Sequence, residues 1–336
     1  MKRRDFLKVT GAATAGVALT GCLPGKGEKT VAAAETADVP RKLYRDRITR
    51  EVDPFDPLSV KEITVNIGLK EPFDVMHVSD VHLARADNRD DERKIMLAAS
   101  RSRGMNAGEH YLDEAVAIAR KKGMHLMHTG DLIDFVSEAN LDACAKHMMD
   151  ADWFSCSGNH EFSLYVGEAR EDDAYKKRSY DAVQGAFPND ITFASRVIGG
   201  VNFVAVDNVY YHFTREQLER MKAEAAKGLP MVMLVHVPLY TPVHFEDEMK
   251  EVNGECAYLA GVPDHLVDTY KPERQESQRA DAPTLEFIAW LKEQPLLKAI
   301  LAGHMHRTFE DRFSPTAMQY TAGACYLGDA QVVHFI

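Results

Sequence analysis

Ser157-Gly158-Asn159-His160-Glu161 directly follows Trp153–Cys156, a short stretch that is predicted to form a buried strand. The same arrangement, in which polar metal-binding side chains come immediately after a predicted strand, occurs at four more places. The other predicted strands cover residues 73–78, 124–128, 231–235 and 299–302. The segments that follow them are Ser79-Asp80-Val81-His82, Thr129-Gly130-Asp131-Leu132-Ile133-Asp134, His236 and Gly303-His304-Met305-His306.

Amphipathic helical stretches alternate with these strands. Residues 111–122, 138–149, 214–226 and 285–292 have helical spacing of apolar side chains, and residues 201–206 form a further predicted strand. This alternation predicts an α/β domain with buried sheets. Ligands in open α/β sheets bind outside the carboxyl ends of the strands, so the five polar segments are expected to converge on one site. Glycines at positions 130, 158 and 303 allow the close backbone approach that such loops require.

The polar segments supply imidazole nitrogens and carboxylate or amide oxygens, with no sulfur. Such donors suit Mn, Fe or Zn ions and exclude a thiolate zinc finger. A single buried histidine is more often structural, but five such segments in order exceed what coincidence would give. Seven ligands are too many for one tetrahedral ion, whereas two ions about 3.5–4 Å apart could share one carboxylate. The candidate ligands are Asp80, His82, Asp131, Asn159, His236, His304 and His306.

The segments match the patterns D-x-H, G-D-x-x-D, G-N-H-E, H and G-H-x-H, from about Phe73 to His306. The sequence therefore resembles the calcineurin-like metallophosphoesterases. The resemblance implies one large α/β domain, a four-layer α/β/β/α sandwich, that holds two divalent metal ions. By similarity, the first ion would be held by Asp80, His82 and His306. The second would be held by Asn159, His236 and His304, with Asp131 as the bridging ligand.

The resemblance also implies an activity, the hydrolysis of phosphate mono- or diesters. A water that bridges two cations loses a proton near neutral pH and can attack phosphorus. His160 is expected to assist the leaving group, with Asp134 orienting it. The alternative for Asp134 is an ordinary helix N-cap, and Glu161 is expected to be structural and not a ligand. A catalytically silent family member that serves as a binding scaffold is the alternative function, although no motif residue is missing here.

Differences from the motifs of known subfamilies narrow the range of expected substrates. Phe135-Val136 follows Asp134, where phosphoprotein phosphatases place Arg-Gly, and Leu132 and Ile133 do not supply the tyrosine ligand of purple acid phosphatases. The formal net charge of −11 disfavours action on duplex nucleic acid, which needs a cationic surface. Small phosphate esters and phospholipid headgroups remain as expected substrates.

The N-terminus has the features of an export signal. Lys2-Arg3-Arg4 precedes a weakly apolar run that is too short to span a bilayer, and the pattern resembles a twin-arginine signal over residues 1–21. Leu19-Thr20-Gly21-Cys22 resembles a lipobox, which implies lipidation of Cys22, and the alternative is cleavage near residues 32–34. Removal of residues 1–21 takes four cations and one acid, which leaves a charge of −14. Residues 22–41 are predicted to be a flexible tether between the lipid and a domain of residues 42–336. The domain is expected at the outer face of the cytoplasmic membrane or in the periplasm.

Two inserts separate the motifs, at about residues 84–110 and 241–282, and both are expected to border the cleft. The first carries six basic residues, which could hold a substrate phosphate but better fit a solvated charged helix. Five cysteines are too few for a disulfide scaffold. Cys144, Cys156, Cys256 and Cys325 could pair in three ways after export, but Cys156 is predicted to be a small buried apolar residue.

Overall fold

The computed structural model describes residues 56–167, 172–252 and 254–336. The predicted signal, the tether, Cys22 and the first residues of the predicted domain lie outside these ranges. Within them the chain forms two mixed β-sheets with helices on their outer faces. None of the helices in this part of the chain combines the length and the apolar character that crossing a membrane requires.

The first sheet contains five strands in the spatial order β1-β11-β2-β3-β4. Its last strand along the chain, β11, pairs parallel with β1 and antiparallel with β2. Strand β11 therefore lies inside this sheet, between β1 and β2, and β2, β3 and β4 run parallel to one another. The strand bounds are β1 Ser59–Val65, β2 Phe73–Val78, β3 His125–Thr129, β4 Trp153–Cys156 and β11 Asp329–Phe335.

The second sheet contains six strands in the order β5-β6-β7-β8-β10-β9. The four central strands β6, β7, β8 and β10 are parallel, and each edge strand is antiparallel to its neighbour. The carboxyl ends of the central strands therefore meet at one edge of the sheet. The bounds are β5 Phe193–Ile198, β6 Val201–Val206, β7 Met231–Leu234, β8 Leu297–Ala302, β9 Phe309–Arg312 and β10 Met318–Thr321.

The two sheets pack face to face around an apolar layer. Because side chains alternate along a strand, Val201, Phe203 and Ala205 of β6 lie in this layer, while Val204 and Val206 lie in the outer core. Phe203 meets Phe335 of the other sheet edge to face, with ring centroids 5.3 Å apart. Helices cover both outer faces, and the four-layer α/β/β/α sandwich is confirmed.

The helices follow the apolar spacing of the sequence. Helix α2 packs Leu112, Ala115 and Ala119 on the first sheet, and on the second sheet Phe287 of α10 stacks on Phe213 with centroids 4.0 Å apart. The longer helices are α1 Glu92–Met105, α2 Gly108–Lys122, α3 Glu138–Asp150, α6 Arg215–Ala225, α7 Pro242–Glu251 and α10 Ala282–Glu293. The shorter ones are α4 Asp173–Lys176, α5 Tyr180–Ala186, α8 Asp264–Val267 and α9 Pro272–Gln278, with 3₁₀ turns at His160–Phe162 and Cys325–Leu327.

The four cysteines of the described chain, Cys144, Cys156, Cys256 and Cys325, are all buried, and none of them forms a disulfide. A disulfide between any two of them, the alternative that the sequence left open, is therefore wrong. Cys156 lies in the layer between the sheets, which confirms its prediction as a small apolar core residue.

Candidate metal centre

The five polar segments meet at one end of the sandwich. The loop after β2 contacts the loop after β8, since the carboxylate Oδ2 of Asp80 accepts the His304 N–H at 2.9 Å. The loop after β3 contacts the loop after β4, since Oδ1 of Asp131 accepts the His160 N–H at 2.8 Å. The expected convergence of strand ends from both sheets is confirmed.

The loops hold their polar residues in an uncommon backbone conformation. Five of the candidate ligands have φ between 53° and 68°, in the left-handed region that residues other than glycine rarely adopt. In the described chain, the only other non-glycine residues with positive φ are Tyr211 and Tyr258, and both lie near the same site. Such conformations persist where the surroundings enforce them, typically at functional sites. The five ligands are Asp80, His82, Asp131, His304 and His306.

Two glycines permit the close approach of these loops. A Cβ atom on Gly158 would lie 2.3 Å from Oδ1 of Asp131, and a Cβ atom on Gly303 would lie 1.8 Å from Oγ of Ser79. Neither position has room for a side chain. The predicted role of these glycines in close backbone packing is confirmed.

One group of donor atoms comprises Asp80, His82, Asp131 and His306, each contributing one atom within 4.8 Å of the others. The Nε2 atoms of His82 and His306 face each other at 3.0 Å. Oδ1 of Asp80 is buried without a hydrogen bond and lies 3.2 Å from the His306 Nε2 atom. A buried carboxylate oxygen beside two converging imidazole nitrogens fits a bound divalent cation.

A second group comprises Asp131, His236 and His304, again with one donor atom each within 4.8 Å. Nε2 of His236 lies 3.3 Å from Oδ2 of Asp131 and 3.2 Å from Nδ1 of His304. Oδ1 of Asn159 lies 3.1 Å from the same Nε2 atom. Asp131 thus belongs to both groups, and the structure brings all seven candidate ligands together.

Each histidine of the two groups is anchored through its other ring nitrogen, which fixes the ring and leaves the inward nitrogen for a metal. Sequence reasoning missed two of the anchors, Tyr211 and Tyr326, because they lie in a loop and in a 3₁₀ turn that carry no ligand pattern. The four anchoring contacts are His82 Nδ1 to Asp134 Oδ1 at 2.9 Å, His236 Nδ1 to the Thr129 carbonyl at 2.7 Å, His304 Nε2 to the Tyr211 hydroxyl at 3.3 Å, and His306 Nδ1 to the Tyr326 hydroxyl at 3.1 Å.

Glu161 has the structural position that the sequence predicts. Its fully buried carboxylate accepts four backbone N–H groups at 2.6–3.2 Å. Burial, together with the charge of Asp131, raises the pKa of Glu161 to about 6, so the group is still an anion at neutral pH. It ties the loop after β3 to the loop after β4. The donors belong to Gly158, Asp131, Leu132 and Ile133.

Asp134 is fully buried and lies between cationic and imidazole groups. Its carboxylate accepts hydrogen bonds from Arg101 Nε at 2.6 Å, from Arg101 Nη2 at 2.7 Å and from His82 Nδ1 at 2.9 Å. Although burial opposes ionisation, Arg101 and these hydrogen bonds hold the pKa of Asp134 well below its usual range. The N-cap of α3 is Ser137, so the N-cap alternative for Asp134 is wrong.

His160 is 6% exposed and stands edge to face with His82, with ring centroids 4.6 Å apart. Its Nδ1 donates to the main-chain carbonyl of Asp134 at 2.7 Å, and the Asp134 carboxylate lies farther away, at 3.3 Å. His82, Asp134 and His160 form a third group, with one donor atom each within 4.8 Å of the others. The guanidinium of Arg101 already occupies that carboxylate, so an additional metal cation is disfavoured there.

The carboxylates make the metal-free site attractive to positive charge. Burial alone would lower the pKa of His82, but hydrogen bonds to Asp134 and Asp80 outweigh it and raise the pKa to about 10. For His236, the charge of Asp131 similarly outweighs burial and raises the pKa to about 9. Positive charge is therefore favoured at His82 and His236, whereas burial lowers the pKa of His306 to about 4.

The inserts contribute to the site in different ways. In the first, Arg85 is paired with Glu109, and Arg89 with Asp87 and Asp142, so these arginines serve internal ion pairs. The expectation of a solvated helix is wrong for Arg101, whose side chain is buried against Asp134. From the second insert, the Tyr258 ring approaches His304 with centroids 6.3 Å apart. Both inserts border the site, as predicted.

Comparison with protein families finds that residues 73–308, more than half of the chain, match the calcineurin-like phosphoesterase model. Residues 1–20 match the signal sequence of the twin-arginine translocation pathway, which supports export. No curated protein matches the chain.

Among solved structures, a dimetal phosphatase from Danio rerio is 15% identical, with a TM-score of 0.44, over 76% of this chain and 89% of that chain. A 5'-nucleotidase from Candida albicans is 11% identical, with a TM-score of 0.39, over 80% of this chain and 48% of that chain. A phosphopantetheinyl hydrolase from Mycobacterium tuberculosis is 12% identical, with a TM-score of 0.37, over 79% and 91%. On the strength of the match over residues 73–308, the chain belongs to the calcineurin-like phosphoesterase family.

Proposed function

We propose that the protein is an exported phosphohydrolase that uses two divalent metal ions to cleave phosphate mono- or diesters. The observation that carries the proposal is the pair of donor groups that share Asp131. We assign one ion to Asp80, His82 and His306, a second to Asn159, His236 and His304, and the bridging position to Asp131. The nitrogen and oxygen donors fit Mn, Fe or Zn.

When bound, such ions neutralise phosphate oxygens and lower the pKa of water. The protein's own residues provide the remaining functions. Asp80 and Asp131 supply two buried negative charges that compensate cations, and the anchored imidazoles keep their inward nitrogens in fixed directions. The closed packing at Gly158 and Gly303 holds the loops in the geometry that the donors need.

We assign to His160 the protonation of the leaving group. A carbonyl oxygen can only accept, so the His160 Nδ1 atom that contacts the Asp134 carbonyl carries its hydrogen. Delivery of a proton from the opposite nitrogen, Nε2, then requires the imidazolium form. The Asp134 carboxylate also faces this Nδ1 atom, at 3.3 Å. Asp134 thereby acts on His160 through both its carbonyl and its carboxylate.

The proposed location of the protein narrows the range of expected substrates. We propose export by the twin-arginine signal and anchoring by a lipid on Cys22, with residues 22–41 as a tether. A phosphohydrolase placed there meets small phosphate esters and phospholipid headgroups. Mass spectrometry of the mature N-terminus tests the anchor: a diacylated Cys22 is expected, and an unmodified N-terminus near residues 32–34 contradicts it.

The decisive assay uses the exported protein with p-nitrophenyl phosphate and bis-p-nitrophenyl phosphate, with added Mn²⁺ and with chelator. We expect turnover of at least one ester that chelator abolishes. Asp131→Asn should lower metal content and activity together, whereas His160→Ala should retain the metals and slow turnover about 10²–10⁴-fold. A protein that binds two metals but hydrolyses no phosphoester would be a silent scaffold, and the enzymatic proposal would be wrong.

A further inference from the structure

Helix α1, in the first insert, differs from an ordinary solvated helix in one buried charge. Ala98, Arg101 and Met105 are its buried residues, and their spacing of three and four places them on one face. Arg103, two residues from Arg101, is exposed. A charged guanidinium is seldom placed in a core face without a specific partner.

The partner of Arg101 is Asp134, 33 residues farther along the chain. Nε of Arg101 donates to Oδ2 at 2.6 Å and Nη2 donates to Oδ1 at 2.7 Å. This two-point contact fixes the plane of the carboxylate as well as its position. A lysine would supply charge at this place but only a single point of attachment.

The Asp134 carboxylate that Arg101 holds also contacts two histidines, the candidate metal ligand His82 and the proposed proton donor His160. Oδ1 of Asp134 lies 2.9 Å from Nδ1 of His82, a candidate metal ligand, and 3.3 Å from Nδ1 of His160. The torsion that orients an aspartate carboxylate has broad preferences, so it needs external restraint. Arg101 and Asp134 are both buried, which makes the restraint independent of solvent.

We propose that Arg101 is a positioning residue of the active site, which holds the Asp134 carboxylate so that His82 and His160 keep their working orientations. The inference rests on the proposed function for the role of His160. The site is then complete only when helix α1 packs in place and brings Arg101 to Asp134. The insert thus contributes to the reaction centre and not only to the rim of the cleft.

The test compares Arg101→Met and Arg101→Lys with Arg103→Met, a matched control on the exposed side of the same helix. One readout is the rate at which Mn²⁺ is lost to a chelator, which needs no turnover. We expect Arg101→Met to weaken Mn²⁺ retention about 10-fold, within the usual range for residues behind a ligand. Arg101→Lys should recover part of this loss, and Arg103→Met should match the wild type.

The second readout is kcat for aryl phosphates with good and poor leaving groups. If His160 is misoriented, Arg101→Met should lower kcat more for the poor leaving group, about 10-fold beyond the good one, with KM changed little. Equal retention of Mn²⁺ and equal leaving-group dependence in wild type and both variants would overturn the inference. If Arg101→Met does not fold, Arg101→Lys decides it, since the single attachment should still raise metal loss in a folded protein. An inactive wild type would contradict the proposed function, while Mn²⁺ retention would still test Arg101.

Discussion

The Nδ1 atom of His160 lies 2.7 Å from the main-chain carbonyl oxygen of Asp134 and 3.3 Å from the carboxylate of the same residue. Any amino acid at position 134 supplies that carbonyl. The carboxylate, in contrast, has its shorter contacts with Arg101 and His82. The side chain of Asp134 therefore serves the metal-ligand side of the site at least as much as the proton donor.

Asp134→Asn and His160→Ala should consequently differ. The Asn variant leaves the buried Arg101 guanidinium without its countercharge, which should cost about 3–5 kcal/mol of unfolding free energy in the metal-free protein. It should also loosen His82 and reduce bound metal. His160→Ala should keep the bound metal and cost less unfolding free energy, because it removes one hydrogen bond and leaves no buried charge without its partner. Urea unfolding and elemental analysis measure both, and an Asn variant with wild-type metal content would contradict this account.

The strands and their polar ends were predictable because the signal is local. An apolar run such as Trp153–Cys156 followed by Gly158-Asn159-His160-Glu161 reports a buried strand and its exit loop in adjacent residues. The four-layer fold then came from the family resemblance and was confirmed. The ligand convergence followed from the rule that parallel strands place their carboxyl ends at one edge.

The residues behind the ligands could not be predicted in this way. Arg101 is one of several basic residues in a charged helix, and its burial depends on a partner 33 positions away. Tyr211 reaches His304 across 93 positions and follows no recognisable pattern. Such contacts are decided by how packed elements meet, which periodicity and motif spacing do not encode.

Gly158 provides a test of the loop packing. In Gly158→Ala the new methyl group would lie 2.3 Å from Oδ1 and 2.5 Å from N of Asp131, which displaces the residue that both donor groups share. We expect loss of bound metal and of activity together. Gly104→Ala is the control, because no atom beyond its chain neighbours and the backbone of α1 itself lies within 4 Å of its Cβ position, and it should leave metal content unchanged while stabilising the protein by about 0.4–1 kcal/mol. A Gly158→Ala protein with full metal content would show that the loop after β3 adapts.

Metal binding should release protons and strengthen with pH. In the metal-free site the pKa of His82 is about 10 and that of His236 about 9, so both imidazoles are protonated at neutral pH. A ligating imidazole must be neutral, so metal ions displace these protons. Because these folded-state pKa values are raised, the stabilisation that the metal-free protein gains from them is present at low pH and is lost as pH rises through about 9–10.

The apparent Mn²⁺ affinity should therefore rise between pH 6 and pH 8, about tenfold per pH unit for each proton displaced. Titration calorimetry in buffers of different ionisation enthalpy counts the released protons directly. The metal-free protein should meanwhile become less stable as pH rises toward 10. An Mn²⁺ affinity that is flat over this pH range, with no proton release, would contradict the protonated state of His82 and His236.

The buried thiols make a final prediction that links fold and export. Burial raises the pKa of Cys144, Cys156 and Cys325, and Cys256 is fully buried as well, so none of these four described cysteines presents a reactive thiolate to solvent. Iodoacetamide should leave all four unmodified in the native exported protein and should alkylate all four after guanidinium unfolding without reductant.

A fifth alkylated thiol would mean that Cys22 is retained without lipid. Alkylation of only two of the four core thiols would reveal a disulfide. Four core thiols that react only after unfolding would agree with a core that closed before export, as translocation of a folded protein by the twin-arginine pathway requires.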